Sequence, residues 1–133
     1  MNAKNNTGRY DQKTILIIED DLILTLSLEL MLKKAGFIQF IRAEDAQTAV
    51  KKAEEQNVDL IIADIYLGEG LSGIEAVKKI QAKQTIPVIY ITGNSDEKHK
   101  ELAGQTDFAA YLVKPISYNS LNNTISHIWS QEA

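Results

Sequence analysis

The sequence predicts an α/β fold: a doubly wound parallel sheet of five strands with helices on both faces. Short runs of β-branched and leucine residues recur along the chain, several ending on an acid, a hydroxyl residue or a lysine. Between them lie stretches whose apolar residues repeat at helical spacing, joined by short connections. Parallel neighbours need crossover connections, and these are right-handed, so the alternation implies a parallel sheet covered on both sides.

Each element has its own local signal. Thr14 to Ile18 is a continuous apolar run of the kind buried on both faces, and it stops at Glu19, Asp20 and Asp21. The first helix runs from Leu22 to Ala35, with Leu24, Leu28, Met31, Leu32 and Ala35 at helical spacing and Gly36 where a C-cap belongs. Phe37 to Arg42 reads as the second strand, and Asp45 to Gln56 as a helix with Ala46, Ala49, Val50 and Ala53 on one face. Val58 to Ala63 is the third strand; it ends on Asp64 and leads into a loop carrying Gly68, Gly70 and Gly73. The next helix carries Ile74, Val77 and Ile80. Pro87 enters a strand at Val88 to Ile91 that Thr92 ends, and Asn94 with Glu97 spells a capping box for a fourth, polar helix closed by Gly104. Phe108 to Val113 is the last strand and Lys114-Pro115 a tight turn. Ser117 then caps a final helix with Leu121, Ile125, Ile128 and Trp129 on one face.

A length of 133 residues suits one domain. The organisation expected is a disordered polar arm over 1–13 and a domain over 14–131, with no output domain. Hydrophobic residues at 44% and charged ones at 24% are those of an ordinary globular protein. A net charge of −4 argues against broad binding to nucleic acid or anionic membranes, so no direct nucleic-acid partner is expected. The N-terminus lacks the apolar core of a signal peptide and no later run is long enough to span a bilayer, which predicts no membrane insertion and a cytoplasmic location. The absence of cysteine rules out disulfides, a thiol nucleophile and a cysteine metal site.

In doubly wound sheets ligands sit beyond the carboxyl ends of the strands, which makes Glu19, Asp20, Asp21, Asp64, Thr92 and Lys114 the candidate functional residues. Taken singly, each has an ordinary explanation: a helix cap, a solvated acid, a turn residue or a surface lysine. Taken together they do not. Two carboxylates repel by about 4 kcal/mol at ~4 Å and an effective dielectric of about 20, so a cluster of them calls for protonation or a cation. Magnesium is the economical choice, because the ligands on offer are oxygens rather than the imidazole or thiolate that zinc prefers. A carboxylate can attack phosphorus to give an acyl phosphate once nearby charges neutralise the transferring group. Asp64 is then the nucleophile, Lys114 a mobile point charge for one phosphate oxygen and Thr92 a donor to another.

From Thr14 to Trp129 the sequence resembles the response-regulator receiver family, typified by the bacterial chemotaxis regulator. The resemblance rests on ILIIEDD, DLIIADIYL, PVIYITG and AAYLVKP. It implies the flavodoxin-like strand order 2-1-3-4-5 and a phosphorelay switch rather than an enzyme, one that takes part in its own phosphotransfer and autodephosphorylation. Glu19 and Asp20 match the family's acidic pair, with Asp20 the more direct magnesium ligand, and Asp64 matches the acceptor. The Tyr66 backbone carbonyl would complete the metal site, and Mn²⁺ would be an acceptable substitute for Mg²⁺. Thr92 matches the switch hydroxyl and Lys114 the phosphate sensor, before a Pro115 peptide that is commonly cis in the family. Tyr111 matches the aromatic residue that follows the switch inward, and Tyr66 and Asn94 lie where family members tune phosphoryl lifetime. The implied partners are a histidine kinase or histidine phosphotransfer protein, and a downstream protein read at the fourth helix, fifth strand and fifth helix. A monomer or a phosphorylation-dependent dimer is implied.

Two features stand apart from the pattern. The loop Leu67-Gly68-Glu69-Gly70 replaces the family's usual proline and is one residue longer before Gly73. Its glycines have the wrong spacing for a phosphate-cradling loop and read as flexibility. The first helix carries Leu22, Ile23, Leu26 and Leu30 beyond its core set, a surplus that is either a broad buried face or, through Leu22 and Leu26, a dock for a helical phosphodonor. A phosphatase of related architecture would use the same aspartate, lysine and magnesium, but it needs a second acid two residues after the nucleophile, where this chain has Tyr66. His99 and His127 are given no role.

Overall fold

A computed structural model describes residues 10–66, 73–93 and 97–130. Its elements alternate as β1 (Thr14–Ile18), α1 (Leu22–Ala35), β2 (Gln39–Ala43), α2 (Ala46–Glu55), β3 (Leu60–Asp64), α3 (Gly73–Gln81), β4 (Val88–Thr92), α4 (Glu97–Ala103), β5 (Ala110–Val113) and α5 (Tyr118–Ser130). The strands form one sheet in the order β2-β1-β3-β4-β5, every pair parallel. The expected doubly wound architecture and strand order are therefore present.

Side chains of a strand alternate between faces, and the two cores divide along that alternation. Leu16, Ile18, Ile61, Val88 and Tyr90 face one side, where α2, α3 and the end of α4 cover them with Ala49, Ala53, Val77, Ile80 and Ala103. Ile15, Ile17, Leu60, Ile62, Ile89 and Ile91 face the other, under Leu28 and Leu32 of α1 and Leu121, Ile125 and Trp129 of α5. Full burial of each such side chain stabilises by about 1.5–3 kcal/mol, so strands buried on both faces can be uniformly apolar. Among the described residues no helix is long and apolar enough to cross a membrane.

The helix ends follow their local chemistry. Asp21 caps α1, its Oδ1 accepting from the N–H groups of Ile23 at 2.9 Å and Leu24 at 3.4 Å. Gly36 closes the helix at φ 115°, a left-handed conformation that suits glycine. Asp45 caps α2 through the Thr48 N–H at 2.7 Å, and Ser117 caps α5 through the Ser120 N–H at 3.1 Å. Asn94, and with it the expected capping box, lies outside the described residues, as does the loop from Leu67 to Gly70.

Three expectations are corrected. Three strands begin later than Phe37, Val58 and Phe108, because these side chains pack into the cores ahead of the ladder: Phe37 under one face, Val58 under the other, and Phe108 edge-on to Tyr90. Phe37 stacks on Tyr10, ring centroids 4.4 Å apart, and both rings lean on Trp129. Tyr10 is only 4% exposed, so the arm expected over 1–13 joins the fold by its tenth residue. The buried face of α1 is wider than its apolar repeat: Thr25 and Glu29 are buried too, Thr25 donating to the Asp21 carbonyl at 3.2 Å and Glu29 held by Arg42 through two hydrogen bonds of 2.7 and 2.8 Å. Of the two readings open for the surplus apolar residues of α1, the broad buried face is excluded. Leu22, Ile23, Leu26 and Leu30 are all exposed.

Candidate functional site

Sheet register sets the site. Ile18 pairs with Ala63, Asp64 with Ile91 and Thr92 with Val113, so the carboxyl ends of β1, β3, β4 and β5 finish on one edge. Asp64 is the last residue of β3 and is 5% exposed. Its Oδ1 accepts from the Tyr66 N–H at 2.9 Å and its Oδ2 from the Lys114 ammonium at 2.7 Å. Lys114 reaches it from the end of β5, where its own N–H donates to the Thr92 carbonyl at 2.7 Å. The Lys114–Pro115 peptide is cis, as the resemblance implied.

Glu19 sits on the same edge, 4% exposed. Its Oε2 accepts from the Asp21 N–H at 3.0 Å, while Oε1 lies 3.7 Å from the Lys114 ammonium and is buried with no hydrogen-bond partner. Burial above all pushes the Glu19 carboxyl up to about 8, and the neighbouring acids Asp64 and Asp20 push the same way, against the Asp21 N–H that lowers it. Burial pulls the Lys114 ammonium down, but the hydrogen bond and charge of Asp64, with the charges of Glu19 and Asp21, outweigh it and hold the group above its ordinary value. Lys114 therefore lies between the two buried acids, Asp64 and Glu19.

The remaining expected residues take up distinct places. Asp20 is exposed at the rim and Thr92 is 1% exposed at the end of β4. Tyr66 is exposed, with its backbone turned to Asp64. Tyr111 is half-buried on β5, its ring 6.4 Å from that of Phe108. Asn94 lies outside the described residues. Among the described residues no group of three or more histidine or carboxylate side chains is gathered as a ready metal cage. Lys114 supplies the positive charge between Asp64 and Glu19. The donor set still fits a hard divalent cation: it consists of oxygens only, and it includes the buried, unpartnered Glu19 Oε1 beside Asp64.

Gly73 was missed as part of the site. As the first residue of α3 it packs so closely on the end of β3 that a Cβ would overlap the Asp64 carbonyl oxygen, and its N–H donates to the Ile65 carbonyl at 3.0 Å. Close approach, rather than flexibility, accounts for this glycine. The contact joins α3 to β3 across nine residues of chain, and no local pattern in the sequence records it.

Residues 15–126 match the family model described as the response regulator receiver domain. The chain belongs to the response regulator receiver family. As a receiver domain it belongs among the signalling switches of two-component systems. It is 32% identical to the alkaline phosphatase synthesis transcriptional regulatory protein PhoP of Bacillus subtilis, over 87% of this chain and 48% of the relative. It is 34% identical to the transcriptional regulatory protein PdtaR of Mycobacterium tuberculosis, over 82% of this chain and 53% of that protein. The chain thus spans about half the length of these curated relatives. Among solved structures, the receiver domain of a Pseudomonas aeruginosa sensor histidine kinase has a TM-score of 0.77 and 29% identity, over 86% of this chain and 95% of that one. That structure is described with a magnesium ion coordinated in its active-site cleft. A two-component response regulator from Clostridium difficile has a TM-score of 0.83 and 27% identity, over 91% and 98% of the two chains.

Proposed function

We propose that this receiver domain takes a phosphoryl group from a phosphohistidine onto Asp64 and converts the change of charge into a change of partner. The observation that carries this reading is the Lys114 ammonium, 2.7 Å from Asp64 Oδ2 and 3.7 Å from Glu19 Oε1. A carboxylate oxygen of Asp64 forms the new P–O bond as the P–N bond to imidazole breaks, and the bonding pair returns to the imidazole nitrogen. Lys114 is already at the acceptor, so it meets a phosphate oxygen with little rearrangement. Glu19, Asp20, Asp64 and the Tyr66 carbonyl would hold Mg²⁺, or Mn²⁺ in its place. When bound, the cation neutralises charge on the transferring group.

The switch belongs to the same reading. A phosphate at Asp64 gives the Thr92 hydroxyl an acceptor at the sheet edge, and Tyr111 moves into the space that Thr92 leaves. The surface formed by α4, β5 and α5 would carry the change to a downstream protein, and Val113 presents apolar surface there, 42% exposed. Tyr66 at the rim, with Asn94, would set how readily water removes the phosphoryl group in autodephosphorylation. Leu22 and Leu26, exposed beside the site at the start of α1, would dock the helical phosphodonor.

The test is incubation with acetyl phosphate, with and without magnesium, followed by intact mass measurement. The reading expects a magnesium-dependent gain of one phosphoryl group on the wild type and none on Asp64→Asn. An equal gain on the variant, or none on either, overturns it.

A further inference from the structure

The outer face of α1 is built for more than one contact. Leu22, Leu26 and Leu30 stand four residues apart along a helix of 14 residues, a single i±4 ridge, with Ile23 beside it. They are 57%, 43%, 68% and, for Ile23, 80% exposed. Together they form one exposed apolar patch of a few hundred Å², roughly the size of the largest patch on a typical monomer, which is often functional. The ridge is symmetric about Leu26, and its two ends carry opposite charges: Asp20 ahead of the N-cap Asp21, and exposed Lys33 in the last turn, with Lys34 lying over the Tyr118 ring.

We infer that this face pairs with the same face of a second copy, the two α1 helices antiparallel about a two-fold axis over Leu26. Antiparallel pairing sets Leu22 of each copy opposite Leu30 of the other. It also brings the lysine end of each helix towards the aspartate end of its partner, so the surface is complementary to itself in shape and in charge. A parallel pairing would instead stack lysine on lysine and aspartate on aspartate. The apolar area falls short of the ~800 Å² per partner of a standard stable interface, so the dimer is a weak and reversible one. The pairing covers Leu22 and Leu26. A consequence that rests on the proposed phosphodonor dock is that dimer and phosphodonor compete for one surface, and only the monomer accepts phosphate from a protein donor.

The axis supplies the test, made without any phosphodonor so that its outcome is separate from that of phosphorylation. Residue 26 of one copy faces residue 26 of the other, so Leu26→Glu and Leu26→Lys each place like charges together, whereas a mixture pairs opposite charges. Sedimentation equilibrium on the unphosphorylated protein should show a concentration-dependent dimer for the wild type. Each variant alone should weaken it by at least about tenfold, and the mixture should recover it, with circular dichroism confirming that both variants fold. A wild type that stays monomeric at every concentration, a dimer indifferent to Leu26→Glu, or variants that fail to complement one another overturns the inference.

Discussion

Gly73 shows how closely single residues constrain the site. The helix that follows β3 starts against the backbone of Asp64, and a methyl group there would overlap its carbonyl oxygen. Gly73→Ala should therefore cost about 3 kcal/mol in urea unfolding, within the range of overpacked sites. Gly93→Ala, where a Cβ meets nothing within 4 Å, is the control and should stay within about 0.5 kcal/mol of the wild type. Asp64, Thr92 and Lys114 could be read in the sequence because strand ends in a parallel sheet are functional positions. The role of Gly73 could not, because it depends on a contact between α3 and β3 that no local pattern records. Glu19 lies between these cases: its type and place were evident, while its unpartnered, buried Oε1 is a product of packing.

At the scale of the element, α1 combines three chemistries on one cylinder. Asp21, first read as one of three acids in a row, is its N-cap; the signal, an aspartate just ahead of an apolar run, was available in the sequence. Glu29 is the less legible residue. It lies on the buried face because Arg42 of β2 binds it through two parallel hydrogen bonds, and only the fold brings residues 29 and 42 together. Those hydrogen bonds from Arg42, and then the Arg42 and Lys33 charges, hold the Glu29 carboxyl below its ordinary 4.5 against the upward pull of burial. Because the folded value is depressed, folding binds fewer protons than unfolding there. The stability this gives is fully present above 4.5 and fades as pH falls through the lower folded value. Glu29→Gln should accordingly lower Tm by a few degrees at pH 7, and thermal melts of the two proteins should converge in acid below that range. A Tm difference that grows in acid would contradict the assignment.

For the molecule as a whole, function and anchoring sit at opposite ends of the sheet. The carboxyl ends of the strands hold Glu19, Asp64, Thr92 and Lys114, while below the amino ends Tyr10, Phe37 and Trp129 bind the entering chain to α5. Tyr10→Ala should cost about 2 kcal/mol of stability in thermal unfolding and leave magnesium-dependent phosphoryl uptake unchanged, which measures whether the two ends act independently. The architecture was legible because uniformly apolar strands and amphipathic helices alternate with little between them. The arm's boundary was not, because one tyrosine in a polar stretch gives no hint that two distant rings await it. The central claim remains the bond formed at Asp64, and borohydride reduction of the phosphorylated protein tests it most directly, because hydride cleaves an acyl phosphate and leaves a free carboxylate untouched. The expected result is reduction confined to Asp64 in peptides from the magnesium-treated, phosphorylated sample, with none in the untreated one; reduction at another acid, or phosphate retained without any reducible acyl group, would contradict it.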